Sequence, residues 1–277
     1  MAEKTKTKKP DVSIIIPAYK QEKRIKDNVE HILNVMNQTR WSFEIIVVVD
    51  GFDDKTYLEA KKVNSYKVKV CGYAKNMGKG YAIKYGMART KGNKIAFIDS
   101  GMDINPNSIS MVLEHMEWYG ADIIVASKRH AVSIVKYPFI RKIYSRGYYT
   151  LVRLLFGLKI SDTQTGLKVF KREVLEKVLP RLLVKRFAFD IEILSVAKRL
   201  GFSRIFEAPV DLEWDKANTS FDAFLFLDKE IRKILYDTMA VFYRLKILRY
   251  YDDKSKRKWI YDKDLDMRIN TGEFTRE

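Results

Sequence analysis

The chain has 277 residues, 47% hydrophobic and 31% charged, which is enough for a full globular core and excludes a disordered tail protein. One cysteine, Cys71, and three scattered histidines exclude a disulfide framework and make a zinc site built on Cys or His untenable. Lys and Arg number 52 against 35 Asp and Glu, a formal charge of +17, so an anionic partner is expected: nucleic acid, phospholipid headgroups or a phosphorylated substrate.

The lysine-rich stretch 1–10 has no apolar core and is not expected to be a signal peptide. Val12–Ile16 is a short apolar run ending at Pro17, the pattern of a buried strand. Residues 21–38 place Ile25, Val29, Ile32, Leu33 and Met36 at helical spacing. Phe43–Val49 reads as a second strand, 67–73 as a third and Ile95–Ile98 as a fourth, with a helix marked by Ile83 and Met87 before the fourth. Asn105-Pro106 opens a further helix, and Ala121–Ala126 reads as a fifth strand. This alternation predicts an α/β fold with a mostly parallel central sheet and helices on both faces. In such sheets ligands sit beyond the carboxyl ends of the strands, where Asp50, Asp99 and Asp103 fall.

The chain then changes character. The 39 residues between Asp122 and Asp162 contain no acid but eight Lys or Arg, among them Lys128, Arg129, Arg141 and Arg146, with aromatics interleaved. An ordinary helix with a solvated basic face is one reading; a segment that recognises phosphate and lies on anionic lipid is the other. Residues 221–251 repeat the pattern, with apolar positions near every 3.5 residues and basic residues on other faces, which predicts a C-terminal amphipathic helix or helix pair. The last 25 residues are highly charged and are expected to be peripheral. No apolar run approaches the ~18 residues that would span a bilayer.

Familiar motifs fail at particular residues. Gly72–Gly80 reads G-x-x-x-x-x-G-K-G, one residue too long for a P-loop and without its Ser or Thr. Gly78-Lys79-Gly80 still offers backbone N–H groups and a cation to a diphosphate. No G-x-G-x-x-G follows the first strand, so dinucleotide binding is unsupported. Two carboxylates, Asp99 and Asp103, follow the fourth strand; they suit Mg2+ or Mn2+ bridging to substrate phosphates, or else are turn and helix-cap aspartates.

Six segments occur in the order of one family: VSIIIPAYKQE (12–22), IIVVVDG (45–51), KNMGKG (75–80), FIDSGMD (97–103), SDTQTGLKVF (161–170) and RFAFDIEIL (186–194). The chain resembles the family 2 glycosyltransferases with the GT-A nucleotide-diphosphosugar transferase fold, within them the polyprenyl-phosphate (dolichyl-phosphate) hexosyltransferases. The resemblance covers about residues 10–215, and leaves 216–277 as a C-terminal helical region and charged tail. It implies an inverting, metal-dependent transfer of one hexose from a nucleotide sugar, UDP-glucose or GDP-mannose, to a polyprenyl phosphate. It implies donor contacts from Pro17, Ala18, Tyr19, Glu22, Asp50, Lys79 and Asp99. The family's D-x-D metal motif begins at Asp99, but Gly101 stands at its second carboxylate, so the second ligand is expected at Asp103. Asp162 is implied as the catalytic base or acceptor-orienting acid. Arg129, Arg141 and Arg146, within a 127–160 segment facing the membrane, and Gln164 are implied at the acceptor phosphate. Lys128, Asp190 and Glu192 are further active-site candidates.

Relatives often carry transmembrane helices; here the lipid is expected to be met by a peripheral protein on the cytoplasmic face of an anionic membrane. A soluble or glycan acceptor is the alternative. A nucleic-acid-binding role fits the charge, but the sequence has no recognition motif for it and the role leaves the strand-end carboxylates unexplained; no nucleic acid is expected as a partner.

Overall fold

The computed structural model describes residues 9–101, 104–130, 132–133, 139–185, 188–211, 223–252 and 258–273, with 139–146 and 223–231 described by their backbone. The chain opens with strand β1 (Val12–Ala18), helix α1 (Ile25–Asn37), β2 (Phe43–Asp50) and a short α2 (Thr56–Ala60). It continues with β3 (Val68–Tyr73), α3 (Lys79–Met87), β4 (Lys94–Ile98), α4 (Asn107–Tyr119) and β5 (Ile123–Ser127). Then follow α5 (Phe139–Phe156), β6 (Leu167–Lys171), α6 (Arg172–Val178), α7 (Phe189–Arg199) and β7 (Ile205–Pro209). Helix α8 (Ala223–Phe242) runs into a π-helical turn at Tyr243–Ile247, and a hairpin of β8 (Trp259–Asp262) and β9 (Met267–Asn270) comes last.

Seven strands form one sheet in the order β3-β2-β1-β4-β6-β5-β7. Side chains alternate across a strand, so parity divides the core into two layers. Ile14, Ile16, Ile45, Val47 and Val49 pack under α1 and α4, whose Ile25, Val29, Ile32, Ile109, Val112 and Met116 recur at helical spacing. Ile15, Ile46 and Val48 face the opposite layer, built from α3, α5, α6, α7 and α8. Burial on both faces is why β1 and β2 read as unbroken apolar runs.

One strand runs against the rest. β6 is antiparallel to both β4 and β5. Its first residue, Leu167, therefore pairs with the last residue of β4, Ile98. The loop that precedes β6 is delivered to the carboxyl edge of the sheet, beside Asp99. The charged C-terminal stretch is also more integrated than its composition suggests: Leu265 in the β8–β9 turn and Asn270 are buried, and the Tyr250 hydroxyl donates to Asn270 Oδ1 at 2.5 Å.

Candidate active site

The carboxyl ends of β1, β2 and β4 open into a cleft of about 520 Å3 lined by Pro17, Ala18, Tyr19, Asp50, Lys79 and Asp99, within the size range of small-ligand sites. Its back wall is the turn into α3. Asp50, at the end of β2, is buried, and its two carboxylate oxygens accept the N–H groups of Met77 at 2.7 Å and Gly78 at 2.9 Å. Asn76 Nδ2 donates to the Asp50 carbonyl at 3.2 Å. Asp50 thus shapes the turn. Gly78 caps α3 with φ 93°, a conformation that disfavours any side chain, and it sets Lys79 as the first helical residue at the rim of the cleft.

Asp99 follows β4 and donates its N–H to the Gly166 carbonyl at 3.1 Å. This bond joins the Phe97–Asp103 and Ser161–Phe170 segments of the sequence. A Cβ on Gly166 would lie 2.5 Å from Asp99 Oδ2, so a glycine at 166 is what leaves the carboxylate room. The Lys79 ammonium lies 2.8 Å from Asp99 Oδ1 and 3.5 Å from Asp190 Oδ2. The other oxygen of Asp190 accepts from Lys168 Nζ at 2.7 Å, and Lys168 also donates to the Thr165 carbonyl at 2.5 Å. Burial alone would raise the Asp190 carboxyl; the charges of Lys168 and Lys79 outweigh it and hold the group below its ordinary value. Burial alone would lower the Lys79 ammonium; Asp190 and Asp99 outweigh that and hold it above its ordinary value.

A second group of residues forms around Asp162. Asp162 Oδ2 accepts the Lys128 N–H and Oδ1 the Gln164 N–H, each at 3.3 Å. Glu207 on β7 fixes the loop from beneath: its Oε1 accepts the Ser161 N–H at 2.8 Å, the Ser161 hydroxyl at 2.6 Å and the Asp162 N–H at 3.2 Å. Gln164 Nε2 donates to the Tyr148 hydroxyl at 3.5 Å, and that hydroxyl bonds Thr238 Oγ1 at 2.9 Å. The loop is thereby linked to α5 and α8. Burial pushes the Tyr148 hydroxyl up to about 12. The Arg129 guanidinium stacks 5.3 Å from the Tyr149 ring centroid.

A family model described as glycosyl transferase family 2 matches residues 13–179. The chain belongs to that family. Among curated relatives, a dolichyl-phosphate beta-glucosyltransferase of Drosophila melanogaster is 33% identical, over 69% of this chain and 63% of its own length. The Homo sapiens protein of that name is 30% identical over 76% and 68%, and the Dictyostelium discoideum one 28% over 85% and 77%. Among solved structures, glucosyl-3-phosphoglycerate synthase from Mycobacterium tuberculosis, in complex with Mn2+, UDP-glucose and phosphoglyceric acid, aligns with a TM-score of 0.62 at 18% identity, over 91% of this chain and 84% of its own. The fold is therefore that of the GT-A glycosyltransferases.

In this family 2 glycosyltransferase the expected site residues separate. Pro17, Ala18, Tyr19, Asp50, Lys79 and Asp99 share the cleft, and Asp190 reaches Lys79 from α7. Glu22 lies in an adjoining depression, where its Oε2 accepts the Lys55 N–H at 3.1 Å. Glu192 is not among the residues that line the cleft. Two residues on from Asp190 it points to another side of α7, is fully buried, and accepts the N–H groups of Leu183 and Val184 and the Tyr251 hydroxyl. It is a structural clasp on the loop that receives the Gly80 N–H. Asp103 and the side chains of Arg141 and Arg146 lie outside the described residues.

Sequence reasoning missed Lys168 and Glu207. A lone lysine inside the apolar run Leu167–Phe170 was the available signal for the first. Glu207, on a strand with no motif of its own, gave none.

The glycosyltransferase has no group of three or more His, Cys, Asp or Glu that could cage a metal among the described residues. Asp99 fits a different arrangement. It is a hard carboxylate, half exposed at the cleft, and a Cβ at neighbouring Gly101 would meet nothing within 4 Å. Mg2+ and Mn2+ suit sites of one or two carboxylates completed by substrate phosphates and water.

Proposed function

We propose that the protein transfers one hexose, with inversion, from a nucleotide-diphosphosugar to a polyprenyl phosphate at the surface of an anionic membrane, on its cytoplasmic face. The observation that carries the reading is the Asp99–Gly166 bond, which sets the Lys79–Asp99 end of the cleft against the Asp162 loop. The names of the relatives favour glucose as the sugar and dolichyl-type phosphate as acceptor, and the solved neighbour's complex favours UDP as the sugar's carrier.

On this reading Pro17, Ala18 and Tyr19 border the nucleotide, and the α3 N-terminus and Lys79 face the diphosphate. Asp99 would hold the divalent cation, Mg2+ or Mn2+, with Asp103 assisting; that cation would neutralise charge on the leaving group. The solved mycobacterial neighbour, in complex with Mn2+ and UDP-glucose, is in keeping with such a site. An acceptor phosphate oxygen attacks the anomeric carbon, forming a C–O bond. The C–O bond to the nucleoside diphosphate breaks, and its electron pair leaves with the diphosphate. One in-line displacement inverts the centre. The phosphate is already anionic, so Asp162 has only to orient it or take its last proton. Lys128, Arg129 and Gln164 would serve the acceptor side, and Arg141 and Arg146 are assigned to it from the sequence alone.

Support for a membrane surface comes from α5 and α8. Leu154, Tyr236, Met239, Tyr243 and Ile247 are exposed, the last four at helical spacing along α8 and its π-helical extension. Arg244 and Lys246 lie among them in sequence, and Arg249 follows. Each cation near an anionic surface contributes about 1 kcal/mol, and apolar side chains add insertion. No helix among the described residues is long and apolar enough to cross a membrane.

The test offers radiolabelled UDP-glucose or GDP-mannose with Mn2+ and three acceptors: polyprenyl phosphate in anionic vesicles, phosphoglyceric acid, and a glycan. Label moving from UDP-glucose into the organic phase is expected, with the opposite anomeric configuration by NMR. Label entering only a water-soluble product overturns the lipid acceptor.

A further inference from the structure

Four charges run in series from the cleft into the core: Asp99, Lys79, Asp190, Lys168. Lys79 bridges the two carboxylates, and Lys168 takes the far oxygen of Asp190. The formal sum is zero with no ligand present. The two cations differ in freedom. Lys168 is held on a central strand, is 2% exposed and is also tied to the Thr165 carbonyl. Lys79 stands on the first residue of α3 at the rim of the cleft, with a flexible four-carbon stem and a partly exposed head.

The oxygen that Lys79 holds belongs to the carboxylate best placed for a metal. A divalent cation approaching Asp99 therefore meets an ammonium already seated on Oδ1. Gly101 supplies no second carboxylate to outbid it. Lys79 leaves Asp99 only if another anion receives it within reach of its stem. A nucleoside diphosphate bound at the α3 N-terminus is such an anion.

We propose that Lys79 is an internal counter-ion, which occupies the metal carboxylate in the empty enzyme and passes to the diphosphate when the nucleotide arrives. Asp190, fixed by Lys168, is the pivot that keeps the ammonium nearby in both positions. Divalent cation and nucleotide then load together, and by linkage each tightens the other by the same factor. The inference rests on the reading of the cleft as a nucleotide-diphosphosugar site.

The test is Mn2+ binding to the full chain, read as the loss of the free-ion EPR signal, with and without saturating UDP. The wild type should bind Mn2+ weakly alone and about 5- to 150-fold more tightly with UDP, the usual range of such coupling. Lys79→Met should bind Mn2+ alone more tightly than the wild type and lose most of the gain from UDP. Lys79→Arg, which keeps the charge, should still exclude Mn2+ in the absence of UDP, and circular-dichroism melts should show all three proteins folded. If Lys79→Met gains no affinity for Mn2+ alone while Mn2+ and UDP still bind together to the wild type, the handover is wrong and the donor site stands. If Lys79→Arg behaves as Lys79→Met, charge is not the cause and the proposal falls. If the wild type binds no UDP even with Mn2+, the donor-site reading itself is lost.

Discussion

Both edges of the sheet carry carboxylates paired with lysines, yet the two edges do opposite things. At the amino edge Glu44 is the second residue of β2. Its Oε1 accepts the Ser13 hydroxyl at 2.8 Å and the Lys91 N–H at 2.5 Å, and its Oε2 accepts Lys69 Nζ at 2.9 Å. Ser13 Oγ in turn receives the Gly92 N–H at 2.8 Å. Every one of these partners is supplied by strands or by the turn between α3 and β4. At the carboxyl edge Asp99 is half exposed, and its side chain is held by a lysine on a helix tip at the mouth of a cleft. The residue types are alike. A partner that can be exchanged for a ligand, beside a space that can hold one, is what separates the site from the scaffold.

Substitution at each edge should break different properties. The largest effect is expected for Asp99→Asn, which should lower transfer about 100- to 1,000-fold, the scale of losing one electrostatic group aimed at developing charge. Its melting temperature should stay close to the wild type, because a half-exposed carboxylate contributes little to stability. Glu44→Ala should do the reverse. It strands the buried Ser13 hydroxyl, a cost of about 1–3 kcal/mol, and removes the acceptor of the part-buried Lys91 N–H, read by chemical denaturation. UDP affinity of the folded fraction should be unchanged; a parallel loss would mean that the two edges are coupled.

The smallest effect is in acid. Burial alone would raise the Glu44 carboxyl; Lys69, the Lys91 N–H and Ser13 outweigh it and hold it below its ordinary value of 4.5. A carboxyl lowered by folding stabilises fully above its ordinary value, and that stability drains as the pH falls through the lower folded value. Glu44→Gln should therefore flatten the acid limb of the stability profile below pH 4.5 and leave its neutral-to-alkaline shape alone.

Much of the scaffold was legible in the sequence because the first strands are buried on both faces. Ile14–Ile16 and Ile45–Val49 are unbroken apolar runs, and α1 shows its stripe at Ile25, Val29, Ile32 and Met36. Three features were not legible. Periodicity carries no direction, so nothing in Leu167–Lys171 announces that β6 runs antiparallel. Helix α7 is buried around most of its circumference from Phe189 to Ala197 and so has no polar stripe to set against an apolar one. The β8–β9 strands are four residues each, too short for alternation to rise above their charges. Within the site, the motif residues were found but their division of labour was not. Asp190 and Glu192 look equivalent in sequence, and only the helix angle between them sends one to Lys79 and the other to a structural clasp.

That clasp bears on how the protein is made. Glu192 gathers the N–H groups of Leu183 and Val184, while the next carbonyl, that of Lys185, receives the N–H of Gly80, and the Leu182 carbonyl receives Lys84 Nζ. The remaining donor to Glu192 is Tyr251, nearly sixty residues further along the chain. A ribosome delivers the amino-terminal strands first. The cleft residues of β1, β2 and β4 therefore emerge long before the phenol that completes the support of the loop behind Gly80. Until Tyr251 clears the exit tunnel, a nascent chain holds the parts of the cleft with its rear brace unfastened.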